Sequence, residues 1–229
     1  MLLKVDKVSK AFGTAGSHNQ RMVLDMLSLD VEKGEKVAVT GPSGTGKTTL
    51  LNIMSSLDRP DSGSVYFDGQ NINELSEKEL SELRNRKIGF VFQLHHLLPQ
   101  CTLLENVLIP TLVLKDKALR KKLAVRADEL INRMGLSEQR NQLPGELSGG
   151  ECQRTAVIRA MINSPQIIFA DEPTGALDEE NAQQLVDLLV EINRTDNVTI
   201  VMVTHSLTIA GRMDKIYELK HGSLSLSDK

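Results

Sequence analysis

Apolar positions along this chain follow two rhythms. Short apolar runs bounded by polar or glycine-containing turns occur at Leu2 to Lys7, Leu27 to Val31, Lys36 to Thr40, Ile88 to Phe92, Gln166 to Ala170 and Thr199 to Thr204. Their length and bounding turns predict strands. Elsewhere the spacing becomes three or four. Leu50, Leu51 and Met54 predict a helix from Gly46 to about Ser56, and Glu179 to Thr195 reads as another. Residues 103–146 are mostly helical in pattern, with Leu119, Leu123, Ala127, Leu130, Ile131 and Met134 on one packing face, until Pro144-Gly145 breaks it. Strands alternating with helices predict an α/β architecture with a largely parallel core sheet. The polar, glycine-containing segment Gly13 to Gln20 predicts an exposed loop. No repeat or low-complexity segment interrupts the chain, and its length suits one core with a satellite lobe.

Composition narrows the functional classes. Hydrophobic residues make up 40% and charged residues 25%, the balance of an ordinary globular chain. A net charge of −3 with 3% aromatics and no Trp argues against a nucleic-acid partner, which calls for a basic surface and stacking rings. Cys101 and Cys152 lack metal-ligand spacing. The first residues lack a signal peptide's basic head and apolar stretch, and no run is long enough to span a bilayer. A soluble chain is expected, so any spanning part of a membrane process would belong to another polypeptide.

The chemistry begins where the strand ending at Thr40 meets a glycine loop. Gly41-Pro42-Ser43-Gly44-Thr45-Gly46-Lys47-Thr48, followed by Thr49, matches the phosphate-binding pattern in full, in its strand–loop–helix context. Glycines let backbone N–H groups approach phosphates, and the helix start adds its positive end. Lys47 is expected on the β- and γ-phosphates and Thr48 on Mg²⁺. Asp171-Glu172 follows four apolar residues, which sets both carboxylates at the C-terminal edge of the sheet, where α/β ligands bind. Asp171 is expected to hold Mg²⁺ through water, and Glu172 to polarise the attacking water. Ser148, Gly149 and Gly150 open a further predicted helix, a second anion site.

Leu147-Ser148-Gly149-Gly150-Glu151, standing between the glycine loop and the acidic pair, resembles the signature of the ATP-binding cassette (ABC) family. Cys152 stands where many relatives have a second Gln, leaving the serine and glycines intact. The resemblance covers essentially the whole chain. It implies a phosphate-loop NTPase fold with a largely parallel core sheet, an N-terminal antiparallel β subdomain and an inserted α-helical subdomain. Within one nucleotide-binding domain, residues 1–92 and 147–229 would form the ATP-binding lobe and about 93–146 the helical lobe. It further implies that Gln93 is the Q-loop glutamine, a ligand of Mg²⁺ or the attacking water. His205 would contact the γ-phosphate, Asp178 would belong to the D-loop, and Phe12 would stack on adenine. The signature residues Ser148, Gly149, Gly150 and Glu151 would serve ATP held by another chain. The partners implied are a second copy, bound head-to-tail around two ATP, and an integral membrane permease. The location implied is the cytoplasmic side of the bacterial inner membrane, which also implies reduced thiols.

Within the family, Phe90-Val91-Phe92-Gln93-Leu94-His95-His96-Leu97-Leu98-Pro99, Leu104 to Pro110 and Pro173 to Asp178 are similar to lipoprotein-release (Lol-type) and macrolide-export (MacB-type) ATPases. The loop Gly13 to Met22 fits the same group, and cell-division (FtsE-type) signalling is the alternative role. A permease helix is expected in a groove beside Gln93, with Leu94, Leu97 and Leu98 candidates for its wall or for the lobe's core. A chromosome-maintenance ATPase would need a long coiled coil between Lys47 and Ser148, and the interval shows no sustained heptads. A translation-factor ATPase would need two motif sets. His95-His96 lacks a third ligand for a metal. The basic run Lys115, Lys117, Arg120, Lys121, Lys122 reads as a solvated helix face or as a contact for anionic lipid.

Overall fold

The computed structural model describes residues 1–13 and 21–227; the loop expected from Gly13 to Gln20 lies almost wholly outside them. In chain order the elements are β1 (Leu3–Phe12), β2 (Arg21–Val31), β3 (Lys36–Thr40), α1 (Lys47–Met54), β4 (Ser62–Phe67), β5 (Gln70–Asn71), α2 (Glu77–Lys87), β6 (Ile88–Phe92), α3 (Leu103–Leu108), α4 (Lys117–Arg133), α5 (Gly149–Met161), β7 (Ile167–Asp171), α6 (Glu179–Asp196), β8 (Thr199–Val203), α7 (Leu207–Ala210), β9 (Lys215–Lys220) and β10 (Ser223–Ser227).

Two sheets form. The larger has the order β10-β9-β3-β8-β7-β6, parallel except for β10; the smaller, antiparallel, has the order β2-β1-β4-β5. The inner parallel strands β3, β7 and β8 are mostly apolar because both faces are covered, whereas β9 carries Lys215, Glu218 and Lys220. Val37, Val39, Ile167, Phe169, Val201 and Val203 point into one core with α1 and the antiparallel sheet. Ala38, Ile168, Ala170, Ile200 and Met202 point into the other, with residues of α3, α4, α5 and α6. Successive strand residues alternate between faces, so each of these strands ties the two cores together.

The strands predicted from Leu2 and to Val31 are longer than their patterns suggest. Buried positions run Leu3, Val5, then Val8 in β1, and Leu24, then Leu27, Leu29, Val31 in β2. The phase slips at Lys7 and Met26, both at positive φ (49° and 45°), and the β1–β2 register shifts there. A bulge adds one residue and reverses the alternation, which hides the strand from a period-two reading. The helical stretch expected over 103–146 is divided. Pro110 lies in a 3₁₀ turn after α3, and α4 ends where Gly135 turns at φ 68°. Along the predicted face of α4, Ala127, Leu130, Ile131 and Met134 are buried, but Leu119 is 40% exposed. Residues 62–87 and 215–227 form elements that the hydrophobic pattern left unassigned. In α2 only Leu80 is buried, too little for a stripe, although a Ser76–Glu79 capping box marks its start.

Candidate active site

The parallel register sets the site. Phe92 pairs with Asp171 and Asp171 with Val203, so Gln93, Glu172 and the Thr204-His205 pair emerge side by side from the C-terminal edge. β3 joins the same edge and leads into the glycine loop. Gly46 caps α1 at φ 103° with no side-chain hydrogen bond, and a Cβ there would fall 2.4 Å from Val23 Cγ1. Glycine alone fits. The first-turn N–H groups of α1 therefore face outward as anion donors.

Lys47 is 7% exposed, its ammonium donating to Gly41 O (2.9 Å) and Pro42 O (3.1 Å) and standing 4.0 Å from Glu172 Oε1. Glu172 itself sits at φ 46°, with its N–H donating to Val203 O at 2.9 Å. Its Oε2 lies 2.8 Å from His205 Nδ1 and accepts from His205 N at 3.3 Å. The carboxylate is 17% exposed and the imidazole 69%. One carboxylate is thus gripped between a cation and an imidazole, with the imidazole open to whatever binds above it. That arrangement can hold a water molecule and take its proton.

Thr48 Oγ1 donates to Asp171 Oδ1 at 3.2 Å. Burial raises the Asp171 carboxyl above the usual carboxylate range, the Thr48 hydrogen bond opposing it and the neighbouring Glu172 charge adding to it. A desolvated carboxylate beside a hydroxyl, both hard oxygens, fits Mg²⁺, which binds through one or two carboxylates, waters and phosphate oxygens. Gln93 is exposed, its side chain lying against Gly175, where a Cβ would come within 2.8 Å of Nε2.

Phe12 is 48% exposed and lines a cleft of about 300 Å³ with Arg21, Val23, Gly44, Gly46, Lys47, Thr48 and Thr49. The Lys10 ammonium lies 5.7 Å from the Phe12 ring centre. Arg21 Nη2 donates to Gly44 O at 2.9 Å, bracing the loop from across the cleft. Within the loop, Thr45 donates from Oγ1 to Pro42 O at 2.9 Å, with Pro42 and Ser43 completing the turn.

Ser148 caps α5 reciprocally: Ser148 Oγ accepts from Glu151 N at 3.3 Å and Ser148 N donates to Glu151 Oε2 at 2.7 Å. These bonds to Ser148 hold the Glu151 carboxyl below its ordinary range. Gly149 and Gly150 form the first turn. A Cβ on Gly150 would lie 2.3 Å from Asn181 Oδ1. Asn181 is held in place by Asp178, whose Oδ1 accepts from Asn181 N (2.8 Å) and whose carboxylate also accepts from Asn181 Nδ2. Gly150→Ala must therefore dislodge Asn181, with an expected loss of about 1–2 kcal/mol in denaturant unfolding. Adding Asn181→Ser should restore most of it. An undiminished penalty in the double variant would refute the steric cause.

α5 also fastens the segment after Gln93. Gln153 Nε2 donates to Phe92 O, and Arg159 donates to His95 O and His96 O, all at 2.7 Å. Burial lowers the Arg159 guanidinium from its ordinary value, and the three backbone oxygens gain partners they would otherwise lack. Buried Asn106 completes the fastening through Leu98 N, Leu98 O, Cys101 O and Thr102 O. His95 Nδ1 accepts from Leu97 N, and burial followed by the Arg159 charge holds this imidazole below its usual value. Cys152 is buried, and that burial pushes its thiol up. Arg21, Gln153, Arg159 and Asn181 escaped the motif reading; the last three answer to backbone or side-chain atoms that no motif spacing includes.

Similarity to known proteins agrees with this geometry. The ABC transporter family model matches residues 24–175. The chain is 43% identical over 223 residues to the lipoprotein-releasing system ATP-binding protein LolD of Bacteroides fragilis, covering 97% of this chain and 100% of that relative. It is 45% identical over 223 residues to LolD 1 of Rhodopirellula baltica, covering 97% and 96%. Among solved structures, a dimeric post-hydrolysis state of the ATP-binding cassette MJ0796 bound to ADP and Pi superposes with TM-score 0.86 at 37% identity, covering 100% of this chain and 98% of that one. A phosphate loop, an acidic sheet edge and a serine-capped signature helix, joined to a family match across most of the length, identify the chain as a member of the ABC transporter family, an ATP-binding and ATP-hydrolysing subunit.

Proposed function

We propose that the chain powers a lipoprotein-releasing type of ABC complex, as a peripheral subunit on the cytoplasmic face of a bacterial inner membrane. The observation that carries the cargo class is the near full-length identity, 43% and 45%, to two LolD proteins. No helix among the described residues is long and apolar enough to cross a membrane. In this reading an integral membrane permease is its partner. Residues 1–92 and 147–229 serve as the ATP-binding lobe and 93–146 as the helical lobe of one nucleotide-binding domain.

In this reading Phe12 stacks on adenine, and Gly41 to Gly46, Thr49 and the start of α1 hold the phosphates. Lys47 leaves the Gly41 and Pro42 carbonyls for the β- and γ-phosphates. Thr48, Asp171 and Gln93 would hold Mg²⁺, which when bound neutralises charge on the phosphate oxygens. Glu172 takes the proton of the attacking water, and His205, hydrogen-bonded to it, keeps carboxylate and water aligned. Ser148, Gly149, Gly150 and Glu151 face the triphosphate of a second copy in a head-to-tail dimer, with Asp178 between the two sites. A groove of about 500 Å³, lined by Leu57, Phe90, Phe92, Ile109, Pro110 and Arg159 among others, receives a permease helix. Leu94 and Leu98 are exposed and free to meet the permease, whereas Leu97 is buried.

Reconstitution of the chain with its co-purifying permease in lipoprotein-loaded vesicles tests the role. ATP-dependent release of the lipid-anchored protein is expected; ATP turnover indifferent to lipoprotein, with no release, would count against it. Phe12→Ala should weaken ATP binding by about 1 kcal/mol, roughly fivefold in Kd. Titration calorimetry showing an unchanged Kd would reduce Phe12 to packing.

A further inference from the structure

The end of the α3–α4 link and the first turns of α4 are basic in an otherwise acidic chain. Lys115, Lys117, Arg120, Lys121 and Lys122 fall between residues 115 and 122 with a single carboxylate, Asp116, while the chain as a whole carries −3. That carboxylate is engaged, accepting from Ala118 N (2.8 Å) and Leu119 N (3.2 Å) to cap α4. Among the described residues no ion pair engages any of the five cations. Lys117, Lys121 and Val125 recur every four residues along α4 and are exposed, whereas Ala127, Leu130 and Ile131 further along are buried. Val125 is 57% exposed.

Directly before the basic run stand Leu112 and Val113, 66% and 69% exposed. They tip a closed turn: Leu112 N donates to Ile109 O, Leu114 N to Thr111 O (both 3.1 Å), and buried Thr111 donates through Oγ1 to Leu108 O at 2.7 Å. A turn fixed on both sides cannot fold two aliphatic side chains inward. The same turn borders the apolar groove through Ile109 and Pro110, and Asn85 Nδ2 holds Pro110 O at 2.9 Å. Unpaired cations beside a presented aliphatic pair complement one surface well: anionic headgroups over an acyl boundary.

We propose that Leu112, Val113 and the basic start of α4 form a contact site for an anionic lipid surface. The two aliphatic side chains enter the headgroup layer and the cations lie over lipid phosphates. The orientation rests on the reading of the neighbouring groove as the permease's seat; the lipid affinity does not. Each cation within reach of the surface contributes about fivefold to binding, and added salt removes that part.

The test is co-sedimentation of the purified chain with vesicles of phosphatidylcholine alone or with about one-third phosphatidylglycerol, at low and raised salt. Anionic vesicles should capture the chain at least about tenfold more strongly, with capture falling as salt rises. Charge reversal at Lys117, Lys121 and Lys122 to Glu should abolish the preference, and Leu112→Asp with Val113→Asp should weaken it, with ATP turnover in solution unchanged in both. Equal capture by the two vesicles, or capture indifferent to both variants, would overturn the proposal. So would a parent chain that ignores anionic vesicles while either variant loses the permease on co-purification, because the surface would then be a protein contact. Lipid binding without lipoprotein release would leave this site standing and remove the cargo assignment instead.

Discussion

Glu172→Gln chains are expected to turn over ATP at least about a hundredfold more slowly, the usual worth of a positioned base, and to accumulate as ATP-bound dimers. The substitution keeps the side chain's shape. Its amide oxygen can still accept from His205 N, replacing the 3.3 Å bond that Oε2 makes there. What disappears is the ability to take a proton. The charge near Lys47, 4.0 Å from Oε1, also disappears, which lowers repulsion against a triphosphate. ATP affinity should therefore hold or rise while kcat collapses. Single-turnover kinetics with gel filtration in ATP reads both quantities; near-normal turnover would remove Glu172 from the role of base.

Equal mixing of two dead variants should bring activity back. Lys47→Ala strips the phosphate loop of its cation. Gly149→Asp sets a carboxylate at the signature. The second substitution is tolerated by its own chain, since a Cβ on Gly149 meets only Leu177 Cδ2, at 3.8 Å. Each homodimer then has two spoiled sites. A mixed dimer gathers both lesions into one site and leaves the other intact, so half the dimers carry one good site. Turnover should return to roughly a quarter of the parent level if sites work independently. ATP retained in the Glu172→Gln background gives a second reading should the sites depend on each other. If neither turnover nor retention recovers on mixing, each chain supplies its own complete site and the head-to-tail reading falls.

The parts of this molecule most legible in the sequence are those where one short segment carries both the geometry and the chemistry. Lys36–Thr40 is buried on both faces, so it reads as an apolar run, and the loop it delivers is a contiguous fingerprint. The same holds for Ile167–Asp171 ahead of Glu172 and for Thr199–Val203 ahead of His205. Bulged strands are less legible, because Lys7 and Met26 reverse the alternation midway through β1 and β2. α2 is held by its caps and one leucine, and leaves almost no stripe. Contacts such as Gln153 to Phe92, 61 residues apart, are fixed by how α5 lies on β6 and have no local trace.

That fastening sets a rule for building chimaeras. A graft of residues 93–146 from another cassette would arrive with its own backbone after the equivalent of Phe92 but without the donors that secure it. Arg159, which donates to His95 O and His96 O, lies beyond the graft, on the helix that Ser148 caps. A host arginine displaced by the incoming loop would leave two carbonyls and a half-buried guanidinium without partners, a cost of about 1–3 kcal/mol. Transplanted specificity for a permease would thus travel intact only with the helix through Met161, which means that it travels with the signature.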